Sequence, residues 1–474
     1  MSRGDVLLLS CYELGHQPLT LAWPLAFLRD AGIEATAVDL QVEPFPVAAA
    51  RAARFVAISV PMHTALRLGV AAAKRIRRQN PKARIAFFGH YAHLNADFLL
   101  QGAADAVLSG ESDALLVDLS RAALEGVPFE AVTGVSTASR RAAPALGRLQ
   151  LPAPERSTLP AISRYARFVQ DGRSVLSAYT EASRGCKHLC RHCPIVPIYG
   201  GRFFAVPVET VMADVRAQLA MGARHVTFGD PDFLNGPTHA LRVARALLAE
   251  FPELSFDFTA KVEHLLAKKD VVKELKELGA AFVVSAVESL SDDVLRRLRK
   301  GHTAADVVRL VEFLDEIGLA LQPTLVAFTP WTTPSDYLDT LEFFHARGLA
   351  AHVPPVQLSI RLLVPPGSAL LDDPESAPFF GPLDAAEFAH PWSHRDPLMN
   401  VLAEEVTALV ADAETRGEPA EATWRRVRAA AYRATDRGVP ETATARRPDP
   451  PRLSEQWFCC AEPTRLQVGL VDGV

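Results

Sequence analysis

Along the first 140 residues, short apolar runs alternate with stretches whose apolar positions recur every three or four residues. The runs Val6–Ser10, Glu34–Leu40, Phe55–Val60, Arg84–Phe88 and Ala106–Ser109 predict strands, with helices at Leu19–Ala31 and Leu66–Gln79. Strands alternating with helices build parallel sheet with crossover helices. The pattern therefore predicts an α/β fold, with a Rossmann-like doubly wound sheet over residues 1–140. Ligands of such a sheet bind beyond the carboxyl ends of its strands. Cys11, Pro61-Met62-His63 and Gly89-His90-Tyr91 each follow a strand and are expected along that edge.

Pro144, Pro152, Pro154 and Pro160 mark residues 141–173 as a linker. A second βα series follows over residues 174–375. Its expected strands are Ser174–Tyr179, His225–Phe228, Ser255–Thr259, Ala281–Val287, Leu321–Phe328 and Gln357–Leu363. Helices such as Glu209–Met221 and Pro237–Glu250 separate them. About six such units predict a partial (β/α) barrel, with chemistry at the carboxyl ends of its strands. Over residues 376–474 the alternation stops. Leu402–Thr415 and Ala422–Ala434 read as helices, and Thr444–Pro451 is a Pro/Arg-rich loop.

Composition narrows the function classes. Of 474 residues, 49% are hydrophobic and 22% charged, the balance of a folded globular protein. Lys plus Arg number 50 and Asp plus Glu 55, a net charge of −5 that argues against bulk nucleic-acid binding. No apolar run approaches the ~18 residues of a membrane span. The run Val6–Leu9, with Asp5 before it, reads as a first strand rather than a signal peptide. Six cysteines are too few for a disulfide scaffold, so a cytoplasmic, reducing setting is expected.

Those cysteines are not scattered. Cys186, Cys190 and Cys193 form a CxxxCxxC loop just after the first expected barrel strand, Cys459 and Cys460 are adjacent, and Cys11 stands alone. Thiolates at i, i+4 and i+7 can hold three irons of a cubane and leave the fourth open to a small molecule. Gly185 permits a tight entry into the loop and Pro194 ends it. The same segment could instead hold zinc, with His188 or His192 completing a Cys₃His set.

The loop and its position resemble the radical S-adenosylmethionine (SAM) superfamily. The resemblance implies a 4Fe–4S cluster on Cys186, Cys190 and Cys193, whose open iron chelates SAM and whose electron cleaves a carbon–sulfur bond. It implies SAM contacts from Gly229, Asp230 and Asp232 after the second barrel strand and from Ser285 and Glu288 at the end of the fourth. Gly-Asp-Pro-Asp stands here in place of the commoner Gly-Gly-Glu. Electrons would come from a reductant such as flavodoxin or ferredoxin. Gly89-His90-Tyr91-Ala92-His93 and Leu108-Ser109-Gly110-Glu111-Ser112-Asp113 are similar to the paired loops of cobalamin-binding domains. Cobalamin is thus a possible cofactor, without an Asp-x-His-x-x-Gly signature to ligate the cobalt.

The segment Cys459-Cys460-Ala461-Glu462-Pro463 resembles the CUAEP/CCAEP-tail radical SAM proteins, in some of which selenocysteine replaces the first tail cysteine. Neighbouring thiolates are soft ligands, suited to metalloids. A further resemblance, to organoarsenical-forming enzymes of the arsinothricin type, implies a transferase; Cys459 and Cys460 would supply two catalytic thiolates, and Cys11, on the carboxyl edge of the first sheet, a third. They would hold a metalloid such as trivalent arsenic, or another small-molecule substrate. A SAM-derived carbon group, 3-amino-3-carboxypropyl by preference, would then form a C–As bond. The alternatives are cobalamin-dependent methylation of carbon or phosphorus and, outside enzymes, a metalloid- or zinc-binding protein. Neither nucleic acid nor membrane is an expected partner.

Overall fold

The computed structural model describes residues 4–455, 463 and 465–472. Its first sheet holds β1 (Val6–Ser10), β2 (Thr36–Asp39), β3 (Phe55–Ser59), β4 (Arg84–Phe88) and β5 (Ala106–Val107), in the order β2-β1-β3-β4-β5. All pairings are parallel. Residues of β1 alternate between two cores: Val6 and Leu8 pack with helix Leu19–Asp30, Leu7 and Leu9 with helix His63–Gln79. Both faces are covered, which is why this strand is continuously apolar. The strand order reverses between β1 and β3, placing the crevice between the loops that follow them.

The second sheet is the partial barrel. It contains β6 (Arg167–Gln170), β7 (Arg173–Thr180), β10 (His225–Phe228), β11 (Ser255–Thr259), β12 (Ala280–Glu288), β13 (Ala320–Leu325) and β14 (Arg452–Leu453). A separate antiparallel pair, β8 (Ser183–Gly185) and β9 (Phe203–Ala205), flanks the cysteine loop. The barrel order is β13-β12-β11-β10-β7-β6-β14, with β7 and β10 to β13 parallel. The β6–β7 hairpin turns on Asp171-Gly172, with φ of 49° and 73°, the left-handed pair that a two-residue hairpin needs. Capping boxes at Thr303/Asp306 and Thr333/Asp336 start helices Ala304–Ile317 and Pro334–Ala346.

Two expectations change. Gln357–Leu363 is not a strand: Pro355–Leu358 is a 3₁₀ turn, and only Arg361 bridges Phe328. Proline lacks the ladder N–H, and Pro354, Pro355, Pro365 and Pro366 bracket the segment. The linker is also packed rather than open. Ala145 bridges Gly110, and Arg156 makes a buried two-pronged ion pair with Asp214, at 2.5 and 2.9 Å. Helices Pro397–Thr415 and Ala420–Ala434 pack on each other and on the Pro355–Leu358 turn. No helix of the described residues is long and apolar enough to cross a membrane.

Candidate active site

The cysteine loop leaves β8 at Gly185, whose φ is +78°. A Cβ there would lie 2.5 Å from the Tyr199 ring and 2.6 Å from the Arg202 carbonyl, so only glycine fits. Cys193 N–H donates to the Cys190 carbonyl at 3.2 Å, turning the chain so that the three thiols share one loop. All three are free thiols. Burial pushes Cys186 up to about 11 and Cys193 up to about 12. Buried thiols of this kind become thiolates when a metal supplies positive charge, so the donor set fits an iron–sulfur cluster.

Three buried carboxylates grip this loop. Asp230 accepts from Ala182 N at 2.8 Å and Ser183 Oγ at 2.6 Å, and burial pushes it up to about 7. Asp232 is fully buried, yet hydrogen bonds from His188 and His264 outweigh burial and bring it down to about 2. Its Oδ2 lies 2.8 Å from His264 Nδ1, 3.4 Å from His188 Nε2 and 3.2 Å from Lys261 N. Glu288 ends β12 at φ +64°, and its Oε1 accepts from Lys300 Nζ at 3.1 Å and faces His192 Nε2 at 3.4 Å. Against burial, those two cations or donors hold it near 2. Each carboxylate expected to hold SAM is thus bonded to a residue between 182 and 192.

His188, Asp232 and His264 could also hold an ion, their ligand atoms lying within 4.8 Å of one another. Lys261 Nζ, 3.2 Å from His188 Nδ1, instead completes a hydrogen-bond set without one. His188 Nδ1 accepts from the ammonium, which leaves Nε2–H to donate to Asp232, and His264 Nδ1–H donates to the same oxygen.

Ser285 lies on β12 with its hydroxyl buried and without a partner among the described residues. Phe282 and Val284 line the barrel cleft, so Ser285 falls on the opposite face of β12, with Val283 and Val287, because side chains alternate along a strand. Gly229 does line the cleft, and a Cβ there would lie 2.3 Å from Tyr179 Oη. His192 Nδ1 is buried without a partner. An unpaired ring nitrogen in the cysteine loop fits SAM, which brings hydrogen-bonding groups.

The cleft runs into the barrel and is lined by Tyr179, Thr227, Gly229, Asp257, Thr259 and Gln322, among others. Leu14 and His16 from the loop after β1, and Leu453 and Glu455 from the C-terminal strand, close it. The loop after β5 is joined to the cysteine loop through Arg184, two residues before Cys186. Its guanidinium meets Asp113 at 2.6 Å, Glu181 at 2.6 Å and Glu111 at 3.2 Å. Tyr199 Oη donates to the other Glu111 oxygen at 2.8 Å.

Cys11 is buried, and desolvation followed by the Asp39 charge raises its thiol far above the usual range, which opposes a thiolate role. Cys459 and Cys460 lie outside the described residues. Sequence reasoning missed His16, Arg184, Lys261, His264 and Glu455. None belongs to a local motif, since each acts across a long chain separation.

Residues 180–350 match the radical SAM superfamily, and residues 6–120 match the B12 binding domain. The chain is 28% identical over 178 residues to ribosomal protein uS12 methylthiotransferase RimO of Bacteroides fragilis, covering 35% of this chain and 40% of that one. It is 26% identical over 154 residues to hopanoid C-3 methylase of Methylococcus capsulatus, covering 32% and 29%. The chain thus spans well under half the length of these relatives. Among solved structures, it is similar to OxsB, a cobalamin-dependent SAM radical enzyme with aqua-cobalamin bound (TM-score 0.67, 14% identity, 86% and 67% covered). It is also similar to the methyltransferase TsrM of Kitasatospora setae with cobalamin and a 4Fe–4S cluster bound (TM-score 0.56, 18% identity, 73% and 70% covered). The radical SAM match implies a 4Fe–4S cluster and SAM as cofactors of the barrel, and the B12 binding match supports cobalamin on the first domain.

A corrin does not fit between the two domains as they are packed here. His16 stacks on Tyr179 of β7, Glu111 bonds Arg184 and Tyr199, and Ala145 fills the space over Gly110, where a Cβ would lie 2.2 Å from its carbonyl. His63, Tyr91 and Glu111 on this edge are each at most 4% exposed.

Proposed function

We propose that the chain is a transferase that cleaves SAM at a cluster on Cys186, Cys190 and Cys193 and delivers a SAM-derived carbon group to a small molecule in the barrel cleft. The observation that carries this reading is the convergence of the cysteine loop and its carboxylate grips at the carboxyl ends of β10 and β12, with the cleft reaching Gly229, the residue before Asp230. A reduced cluster would supply the electron that breaks the carbon–sulfur bond, itself reduced by a flavodoxin or ferredoxin. The protein's part is positional. Asp230, Asp232 and Glu288 fix the loop through Ser183, His188 and His192. Leu14, His16 and Leu453 exclude water from the cleft.

The names of the relatives given above denote transfer of methyl or methylthio groups, which favours methyl transfer. One observation keeps the arsenic reading in play. Glu455 lines the cleft, and Cys459 follows four residues later in the sequence. In that reading Cys459 and Cys460 hold trivalent arsenic while 3-amino-3-carboxypropyl is transferred.

The test is anaerobic incubation of the iron-reconstituted chain with SAM and dithionite, with and without arsenite. Methyl transfer leaves S-adenosylhomocysteine, adenosyl cleavage leaves 5′-deoxyadenosine, and aminocarboxypropyl transfer leaves 5′-methylthioadenosine. Each Cys→Ala variant of the loop is expected to lose the cluster's EPR signal and all three products. Zinc without iron, or product formation by a triple Cys→Ala variant, overturns the proposal.

A further inference from the structure

The cleft has a marked polarity. Asp257 and Glu455 bring carboxylates to it, and among the described residues lining it none is Lys or Arg. His16 is 4% exposed and is pushed down to about 3, chiefly by burial, so its imidazole is neutral at physiological pH. Arg156, the cation that acts on Tyr179, is committed to Asp214. The ionisable groups at the cleft wall are thus acidic, Asp257 and Glu455, and burial raises Glu455 until a cation pairs with it.

Its hydrogen-bonding groups are open. The ring nitrogens of His16 and the hydroxyl of Tyr179 have no hydrogen-bond partner among the described residues, although both rings pack closely, 4.2 Å apart. Asp257 is held in place from one side, by His225 Nε2 at 2.8 Å and Thr227 Oγ1 at 2.7 Å, both on its Oδ1. Phe228, Phe282 and Tyr179 add aromatic faces to the wall. Carboxylates, neutral acceptors and aromatic faces together select an organic cation.

We propose that the substrate held in this cleft carries a protonated amine, paired with Asp257 and Glu455 and bonded by His16. The inference rests on the cleft being the substrate site of the proposed transferase. The pairing belongs to the substrate rather than to SAM because Asp257 and Gln322 lie in the middle of β11 and β13, below the strand ends that meet the cysteine loop. The C-terminal strand then has a role beyond covering the sheet, since it delivers Glu455.

The experiment uses the full chain with its cluster reconstituted and SAM present, and n-butylammonium as probe, with n-butanol and butyrate as neutral and anionic counterparts. Binding is read by ligand-observed NMR. The ammonium is expected to bind at least tenfold more tightly than the alcohol, and butyrate not at all. Glu455→Gln and Asp257→Asn should each remove most of that preference while SAM affinity stays within twofold. Asp257→Asn can fail to fold because it disturbs buried His225, whereas Glu455 lies at the rim, so Glu455→Gln decides the matter alone. Equal binding of alcohol and ammonium overturns the inference, as does a loss of SAM affinity in place of amine affinity. A wild-type chain that binds the amine but yields no SAM-derived product would sink the transferase reading and leave the cation site standing.

Discussion

His16, from the loop after β1, lies flat on Tyr179 of the first parallel barrel strand, ring centroids 4.2 Å apart and planes 6° from parallel. The contact joins the two domains through a histidine that burial keeps neutral, pushed down to about 3. Between the ordinary value near 6.5 and that value, the unfolded chain binds the proton and the native chain does not. Stability therefore rises with pH in this window and is lost as pH falls through it. His16→Phe keeps the stack and removes the proton site. Urea denaturation between pH 4.5 and 7.5 is expected to show the variant gaining on wild type as pH falls, and a pH-independent difference would refute the assignment.

Asp230 should act with the opposite sign. Burial raises it to about 7, so the native chain keeps a proton that the unfolded chain has released above about pH 4. The variant Asp230→Asn, which cannot ionise, is expected to gain on wild type as pH rises from 5 toward 8, because only wild type must then hold a buried carboxylate against desolvation. The same denaturation series checks this.

Arg184 ties the loop after β5 to the cysteine loop. Removing one member of a buried ion network leaves the others uncompensated, at about 3–5 kcal/mol. Arg184→Met strands Glu111, Asp113 and Glu181, and the expected loss in urea denaturation is of that size. Because the corrin face is closed by the same contacts, Glu111→Gln is expected to take up cobalamin faster than wild type, read by corrin absorbance after gel filtration. Equal uptake would mean that the packed edge is no barrier.

What the sequence revealed follows from how local each signal is. The strands of the first sheet are apolar along their length because both faces are covered, and the cysteine spacing is a property of one short loop. Proline punctuation around Gln357–Leu363 was outweighed by its apolar run, and the strand it suggested is a 3₁₀ turn. The Asp171-Gly172 hairpin had a readable turn signal. Strand β14 had none, because two residues pair with β6 only through tertiary packing across more than 280 positions. The carboxylates Asp230, Asp232 and Glu288 were visible as candidates, but their partners His188, His192 and Lys300 emerge only when the strand ends converge.

The remaining cysteines separate two forms of the arsenic reading. Cys11 is 2% exposed within the first domain's core, and burial, then the Asp39 charge, raises its thiol far above the usual range, which opposes ionisation before a soft ligand binds. It is nevertheless near the cleft in chain terms, next to Tyr12, whose hydroxyl donates to Glu455 Oε1 at 3.4 Å. Proximity and protonation state thus point in opposite directions, and a soft donor must be deprotonated to bind. Arsenite binding, measured by retained arsenic after desalting under reducing conditions, is expected to be unchanged in Cys11→Ser. It should fall at least tenfold in Cys459→Ser and in Cys460→Ser if the adjacent pair holds the metalloid. A loss in all three variants would restore a three-thiolate site and show that Cys11 ionises on binding. Retention in both tail variants would remove arsenic from the cleft and leave methyl transfer as the reaction to pursue.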